Sequence, residues 1–151
     1  MTSSTEMPVR SYHIDHFGHV NHARWLELLE EARWRYLEQH KLLGMLHQHR
    51  LFHVVAEINI RYRRGARLGD VLRIETEIES RRGKTFVVRQ TVFDAKSHKR
   101  VADAAITNVF VDEHGTVQSI DETVLNLWPD LAHAKTTLPK PGPRQVQSYR
   151  G

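Results

Sequence analysis

The sequence predicts an α+β domain in which one long helix lies on an antiparallel sheet of about five strands. Apolar residues recur with a helical period in only one long stretch, from His22 to about His40. From Leu51 onward the period changes to two, and turn-rich segments divide that part of the chain into four strands. A chain of 151 residues has the length of one domain. A single helix covers one face of such a sheet, so the other face and the edges are expected to need a partner.

The first third of the chain is predicted to contain a short strand, a loop and the long helix. Residues 8–13 form an extended candidate, and Gly18 gives the following loop freedom to turn. Asn21 is a favourable N-cap residue, after which apolar and charged residues follow the helical period. A helix of about 19 residues is roughly 28 Å long, enough to cross the face of a sheet. Residues 42–49 are expected to add a further helical turn or two.

The second half of the chain is predicted to form an antiparallel meander. Its first strand alternates, so one face is expected to carry the even-numbered residues: Phe52, Val54, Ala56, Ile58, Ile60 and Tyr62. Strands at 70–80, 84–95 and 100–112 follow, and the last is apolar on both faces, which favours a central position in the sheet. Ser119 and Glu122 have the spacing of a capping box, which predicts a short helix that Pro129 ends.

Composition narrows the functional class. The formal net charge of +4 favours polyanionic partners, which include nucleic acids and the phosphates of coenzyme A (CoA). Cysteine is absent from the sequence, which excludes disulfides, thiolate metal sites and a cysteine nucleophile. The sequence also lacks the motifs of kinases, serine hydrolases and dehydrogenases. It has neither a run of about 20 apolar residues nor a secretory signal pattern, so we expect a cytoplasmic protein without membrane insertion.

The C-terminal segment differs in composition from the rest of the chain. Three prolines and four basic residues occur after Ala134, with few apolar residues between them. We therefore predict a folded domain over residues 1–132 and a flexible, basic tail over residues 133–151.

Asp15 is the main candidate for chemistry because it lies seven residues before His22, close to the predicted helix start. Free N–H groups at a helix N-terminus polarise a carbonyl oxygen, while a nearby carboxylate attacks the same carbon or activates a water. The backbone N–H groups of His22 and Ala23 are the candidate donors. Asp15 acts either as a nucleophile or as a general base in this interpretation, and the sequence leaves both roles open. The alternative is a purely structural loop aspartate.

Four histidines around Asp15 recur every three residues, which raises the question of a zinc site. They are His13, His16, His19 and His22. Convergent ligands are not expected, because the first lies in a predicted strand, Gly18 interrupts the run and the last begins a helix. We therefore predict no metal, and a contact of His19 with the substrate or with groups near Asp15.

Several segments together resemble a known family. Residues 15–21 (DHFGHVN), 25–33 (WLELLEEAR) and 57–64 (EINIRYRR), with Leu68, Gly69, Asp70, Gly83 and Lys84, are similar to hotdog-fold acyl-CoA thioesterases of the 4-hydroxybenzoyl-CoA thioesterase-like group. Within that group the chain most resembles the bacterial long-chain acyl-CoA thioesterase III type. The resemblance covers roughly residues 8 to 128.

The resemblance implies a hotdog fold, in which the sheet wraps around the long helix, and hydrolysis of long-chain acyl-CoA to free fatty acid and CoA without a cofactor. It implies that Asp15 is essential and that the His22 N–H holds the thioester oxygen. It further implies that Arg81, Arg82 and Lys84 contact the nucleotide end of CoA. Gly18, His19 and Asn21 are further candidates for contact with substrate, and the alternative for Gly18 and Asn21 is a structural role as turn and cap residues. A homodimer or homotetramer with joined sheets and active sites at the junction is expected.

Three other functions remain as alternatives. A thioesterase for acyl carrier protein would use the basic turns to meet an acidic protein, and a non-catalytic hotdog module would bind acyl-CoA without hydrolysis. A nucleic-acid binder is disfavoured, because the aromatic-studded basic surface of such proteins is missing from the sequence pattern.

Overall fold

The computed structural model of this protein describes residues 2–137. In that range the helices are α1 (Arg24–Gln39), α2 (Leu42–Gln48), α3 (Glu122–Leu127) and α4 (Pro129–Ala132). The strands are β1 (Ser3–Pro8), β2 (Phe52–Tyr62), β3 (Val71–Arg82), β4 (Thr85–Asp94), β5 (Arg100–Val111), β6 (Val117–Gln118) and β7 (Lys135–Thr136). Most of the predicted tail, residues 138–151, lies outside the described residues.

All seven strands belong to one sheet, with the five long ones in the order β1-β3-β4-β5-β2. These five run antiparallel to their neighbours, while β6 extends the sheet beside β5 and β7 runs parallel to β3. Helix α1 packs on one face, mainly over β1 and β3. The prediction of one long helix on an antiparallel sheet with β5 in a central position is therefore confirmed. No helix within residues 2–137 is long and apolar enough to cross a membrane.

The core lies between helix α1 and the even-numbered side chains of the central strands. The buried face of the helix contains the apolar residues that its period predicted, which are Trp25, Leu28, Leu29, Ala32 and Tyr36. Leu72, Ile74 and Ile106 lie opposite and are fully buried. Each such side chain contributes roughly 1.5–3 kcal/mol through the area it removes from water. This burial fixes the helix on the sheet, and with it the position of the helix N-terminus.

The first strand begins earlier than predicted. Strand β1 spans Ser3–Pro8 and pairs with β3, whereas the predicted segment at 8–13 contains a 3-10 turn at Ser11–His13. Ser3, Thr5 and Met7 alternate towards the interior and are buried. Two of these three inward residues are small and polar, so the segment lacks the apolar alternation by which a strand is recognised.

Strand β2 contains a bulge that the sequence did not reveal. The pairing with β5 shifts between Val55 and Glu57, so Ala56 is the extra residue. The extra residue changes which residues of β2 face the helix. Before the bulge these are odd-numbered, as Val55 is, and after it they are the even-numbered Ile58, Ile60 and Tyr62. The prediction that all even-numbered residues of β2 share a face is therefore wrong. Asn59 and Arg61 point to the opposite, outer face of the sheet.

The short C-terminal helix has a different cap from the predicted one. Asp121, not Ser119, is the N-cap of α3, and its side chain accepts a hydrogen bond from the backbone N–H of Val124. Helix α3 ends at Leu127, before Pro129, as predicted, and Pro129 then begins the single turn of α4.

Candidate active site

The Asp15 loop, residues 15–19, is a tight turn that its own aspartate holds together. Oδ1 of Asp15 accepts hydrogen bonds from the backbone N–H groups of Phe17 and His19, at 2.9 and 3.3 Å. Gly18 has a φ of 81°, which a residue with a side chain adopts only with strain. Oδ2 of Asp15 has no hydrogen-bond partner within residues 2–137. The loop thus fixes the carboxylate and leaves one of its oxygens available.

The start of helix α1 leaves the predicted backbone donor of His22 free. Asn21 makes the hydrogen bonds of an N-cap residue. Its side chain accepts a hydrogen bond from the Ala23 N–H at 2.8 Å, and its carbonyl accepts one from the Trp25 N–H at 3.2 Å. The regular helix begins at Arg24, two residues later than predicted. Because the Ala23 N–H is already used, its predicted role as an oxyanion donor does not fit this arrangement. The His22 N–H has no partner among the described residues.

Asp15 and His22 line the same open cleft, which has a volume of about 350 Å³. His19 and Val20, which precede the helix, and Trp25 in the first turn of α1 line one side of the cleft. Tyr62 at the end of β2 and the residues after it, Arg63, Arg64 and Gly65, line the other. The Tyr62 hydroxyl donates a 3.0 Å hydrogen bond to the His22 carbonyl. Burial raises the pKa of Tyr62, which keeps this hydroxyl protonated and able to donate. Tyr62 therefore ties the sheet to the helix start.

His19 lies against a glycine backbone at the wall of the cleft. A Cβ atom built on Gly65 would come within 2.7–2.8 Å of three atoms of the His19 imidazole, closer than side chains approach in proteins. The imidazole therefore occupies space that is available only because residue 65 lacks a side chain. The backbone N–H of His19 also binds Asp15, so the two residues move together.

His13 connects the segment before the Asp15 loop to the start of helix α1. Its ring is buried, and Nδ1 accepts a 2.9 Å hydrogen bond from the Arg10 backbone N–H. Its carbonyl accepts from the Asn21 N–H at 2.8 Å, so it links the loop to the residue that caps the helix. Burial lowers the pKa of His13, an effect to which Arg24 and Arg10 add and which Glu27 opposes. The ring is therefore held neutral, as an acceptor at Nδ1 must be.

The predicted phosphate-binding turn lies at the other end of the sheet. Tyr62 pairs with Ala102 in β5. Thr85, which follows the turn at residues 81–84, pairs with Val109 in the same strand. Seven residues of strand separate these levels, which is roughly 23 Å. Arg82 donates from Nε to the Thr137 hydroxyl at 3.1 Å. Arg81, Arg82 and Lys84 do not line the Asp15 cleft of their own chain, and their contact with substrate stays a prediction.

An apolar cavity of about 270 Å³ lies near the start of β2. Its apolar walls are formed by Trp34, Leu43, Leu46, Leu51, Phe52 and Val55, and Glu30, Arg33, His47 and His53 line it as well. The edge of β2 beside it has no neighbouring strand within residues 2–137, and five large apolar residues of this strand are exposed, namely Phe52, Val54, Val55, Ile58 and Tyr62. Such an edge is a surface for pairing with another strand.

The histidines near Asp15 do not converge. No group of three or more His, Cys, Asp or Glu residues in the described part of the chain has the arrangement of a metal site. The sequence pattern did not predict roles for Tyr62 and Gly65 or the anchoring contacts of His13. Gly65 carried a signal, because an isolated glycine after a strand often marks a close approach. Tyr62 carried none, because its contact joins residues 40 positions apart.

Comparisons with known proteins agree with one another. A model of the family described as the thioesterase-like superfamily matches residues 9–141. The long-chain acyl-CoA thioesterase FadM of Escherichia coli is 43% identical over 108 residues, which are 72% of this chain and 82% of that protein. The acyl-CoA thioester hydrolase YbgC of Shigella flexneri is 35% identical over 99 residues, 64% of this chain and 74% of the relative. The crystal structure of YbaW, a probable thioesterase from Escherichia coli, has a TM-score of 0.79 and 36% identity, and the match covers 85% of this chain and 97% of that one.

Proposed function

The chain belongs to the thioesterase-like superfamily, and from this premise we propose that it hydrolyses long-chain acyl-CoA through Asp15 and the N-terminus of helix α1. The match to the family model and the 43% sequence identity with an acyl-CoA thioesterase make it a thioester hydrolase. One observation carries the proposal for the site: the available carboxylate oxygen of Asp15 and the unpaired N–H of His22 belong to residues that line a single cleft.

In the proposed reaction, the thioester carbonyl oxygen binds the His22 N–H. Charge that develops on this oxygen is stabilised by that donor and by the positive end of the helix dipole. One such donor typically lowers a barrier by about 3 kcal/mol. Oδ2 of Asp15 either attacks the carbonyl carbon, giving an anhydride that water then cleaves, or removes a proton from an attacking water. In both routes the bond from carbon to sulfur breaks, and CoA leaves as its thiolate.

We further propose that the active protein is at least a dimer formed through the exposed edge of β2. Antiparallel pairing of two β2 strands about their midpoint places the Phe52 end of one copy beside the Tyr62 end of the other. The apolar cavity of the second copy then lies next to the Asp15 cleft, where it accepts an acyl chain. The turn at residues 81–84 of the second copy comes to the same end, which supports its predicted contact with CoA.

The substitution Asp15→Asn tests the chemical role. The amide oxygen preserves the two hydrogen bonds that hold the loop, but the variant has neither a nucleophilic oxygen nor a base. We expect kcat for long-chain acyl-CoA to fall by a factor of about 100 or more, with an unchanged thermal unfolding midpoint.

Asp112→Asn is the matched control, because Asp112 holds a loop with the same backbone pattern and does not line the cleft of its own chain. It is expected to keep full activity. Full activity of Asp15→Asn would remove this residue from the mechanism. If the wild-type protein binds acyl-CoA but hydrolyses none of the acyl-CoA thioesters tested, the non-catalytic binding module is favoured. If it prefers acyl carrier protein thioesters, these become the substrate in place of acyl-CoA.

A further inference from the structure

We propose that this protein prefers long acyl chains that carry a hydroxyl group away from the thioester, and that Arg33 and His53 bind this hydroxyl. Both side chains line the apolar cavity near the start of β2, and we call the pair the hydroxyl site. The inference rests on the proposed function, because it names the substrate class of the same enzyme. It concerns the acyl end of the substrate.

An apolar strip on the helix side of β2 joins the Asp15 cleft to this cavity. The strip consists of Tyr62, Ile60, Ile58 and Val55, which share that side of the strand. Tyr62 lines the cleft and Val55 lines the cavity, so the strip begins at one site and ends at the other. Helix α1 packs mainly over β1 and β3, which leaves Ile58 and Val55 of the strip 36 and 37% exposed. The strip is about 20 Å long, which is the length of an extended long acyl chain.

The proposed dimer offers a shorter route to the same kind of cavity. When two β2 edges pair, the Phe52 end of one copy lies beside the Tyr62 end of the other, and the acyl chain enters the cavity of the second copy. Both routes end at a hydroxyl site. The route decides only which carbon lies there: the terminal carbon along the strip of one chain, or a mid-chain carbon across the pair.

Buried hydrogen bonds hold the Arg33 guanidinium at the wall of the cavity. Its Nη1 donates to Oε1 of Gln90 at 3.0 Å. Gln90 is fully buried, and its Nε2 donates to the Leu29 carbonyl at 2.9 Å and to the Thr76 hydroxyl at 3.1 Å. Arg33 forms no other hydrogen bond and no ion pair with the residues that the structure describes. The remaining N–H groups of an oriented guanidinium are therefore available to a ligand oxygen.

His53 supplies the second half of the hydroxyl site. Its ring packs edge-on against Trp34 with 5.8 Å between the centroids, and neither ring nitrogen has a hydrogen-bond partner within residues 2–137. Burial lowers the pKa of His53, Arg33 adds to this effect and Glu30 opposes it. The imidazole is therefore neutral near pH 7, with one nitrogen that donates and one that accepts. A hydroxyl group between the two side chains accepts from Arg33 and donates to His53.

The charges at the cavity favour a hydroxyl over a carboxylate. Glu30 lines the same cavity and accepts a 3.2 Å hydrogen bond from Nε1 of Trp34, which holds its negative charge there. The charges of Glu30 and Arg33 offset each other, so a carboxylate on the acyl chain would add an unbalanced charge. A neutral hydroxyl keeps the balance. An unsubstituted chain would displace water from Arg33 and His53 without replacing its hydrogen bonds.

A small internal void is lined by the same two side chains. It has a volume of about 20 Å³, and Asn108 lines it as well. Asn108 is almost fully buried, and its Oδ1 has no hydrogen-bond partner within the described residues. Polar groups without a protein partner are thus concentrated at this end of the cavity, where a plain hydrocarbon chain offers none of them a hydrogen bond.

Three substrates of one chain length test the hydroxyl site. They are palmitoyl-CoA and two derivatives, one hydroxylated at the terminal carbon and one at a mid-chain carbon. We expect kcat/KM for at least one hydroxylated substrate to exceed that for palmitoyl-CoA by about 10-fold. Preference for the terminal hydroxyl supports the route along one chain, and preference for the mid-chain hydroxyl supports the route into the second copy. Equal values for all three, or a preference for palmitoyl-CoA, would overturn the proposal.

The substitution His53→Phe removes the ring nitrogens and keeps an aromatic ring against Trp34. Because His53 has no hydrogen bond to lose, the thermal unfolding midpoint should not fall, while the preference for the hydroxylated chain should disappear. Arg33→Met should also abolish the preference, with a lower midpoint because Gln90 loses a partner. His114→Phe makes the same exchange at an exposed histidine outside the cavity and should keep the preference. A preference that survives both cavity substitutions would refute the assignment to these residues.

Turnover of palmitoyl-CoA separates this inference from the proposed function. A protein that hydrolyses palmitoyl-CoA but does not favour a hydroxylated chain retains the proposed function and refutes the hydroxyl site. If the wild-type protein hydrolyses none of the three thioesters, the proposed function fails. Calorimetric binding of the same thioesters to the full chain then decides: tighter binding of a hydroxylated chain supports the hydroxyl site, and equal binding contradicts it.

Discussion

Two loops of this protein share one hydrogen-bond pattern but have different surroundings. In the Asp112 loop, residues 112–116, Oδ1 of Asp112 accepts from the N–H groups of His114 and Thr116, both at 2.9 Å. Its glycine, Gly115, has a φ of 78°, close to that of Gly18 in the Asp15 loop. In both loops the aspartate N–H binds the carbonyl four residues later. The two loops therefore form the same turn, with aspartate at the first position and glycine at the fourth.

The difference lies in the second carboxylate oxygen and its neighbours. Oδ2 of Asp112 accepts a 3.3 Å hydrogen bond from the Gln118 side chain. Oδ2 of Asp15 has no partner among residues 2–137, and only the Asp15 loop lies beside a helix start and a cleft. A loop aspartate of this kind is thus structural by default. The neighbours supplied by α1 and β2 make one of the two a candidate for catalysis.

The largest effect is expected from Gly65→Ala, which disturbs a contact found only at the Asp15 loop. The new Cβ would overlap the His19 imidazole, so the ring is pushed towards the cleft and the loop shifts with it. Displacement of about 1 Å at a reacting centre costs up to about 100-fold in rate, and we expect kcat/KM to fall towards that limit. Gly44→Ala is the control, because a Cβ there meets open space. Wild-type kinetics for Gly65→Ala would show that His19 has no role in positioning Asp15.

The paired substitutions Gly18→Ala and Gly115→Ala compare the loops directly. Both place a side chain at a positive φ, so each should lower the free energy of unfolding by about 1–2 kcal/mol. Only Gly18→Ala should also lower kcat, because only that loop holds a reacting group. Chemical denaturation and steady-state kinetics on both variants measure the two effects. Equal loss of activity in both would indicate that the effect comes through stability alone.

A smaller effect is expected from pH through His13, beneath the Asp15 loop. Burial lowers the pKa of His13 below its ordinary value of 6.5, so the unfolded chain takes up a proton at a higher pH than the folded chain does. The free energy of unfolding should therefore fall as the pH falls below about 6.5 and recover as it rises. His53 adds a change of the same sign, since burial lowers its pKa as well.

The substitution His13→Asn separates the two histidines. Asparagine does not titrate in this range and still offers an acceptor to the Arg10 N–H. Urea unfolding between pH 5 and 7.5 should therefore show a shallower pH dependence in this variant than in the wild-type protein. The same slope in both proteins would assign the pH dependence to His53 and other groups.

The sequence predicted those elements whose signal is local. Helix α1 and strands β3, β4 and β5 follow their hydrophobic periods, and Asp15 and His22 were predicted as candidates because both lie near one helix start. Strand β1 was misplaced because its inward residues Ser3 and Thr5 are polar, and they become interior only by pairing with β3. Contacts between distant segments, such as Tyr62 with His22 and His19 with Gly65, leave no periodic trace in the sequence.

The bulge at Ala56 makes the arrangement of the whole strand depend on a single position. If Ala56 were kept and paired regularly with β5, the bulge would close, Tyr62 would turn away from the helix start and Arg61 would face inward. Deletion of Ala56 would instead remove the bulge and leave the other pairs of β2 with β5 unchanged. A deletion of one residue elsewhere in β2, with the bulge still in place, would exchange the inside and the outside of the residues on one side of it.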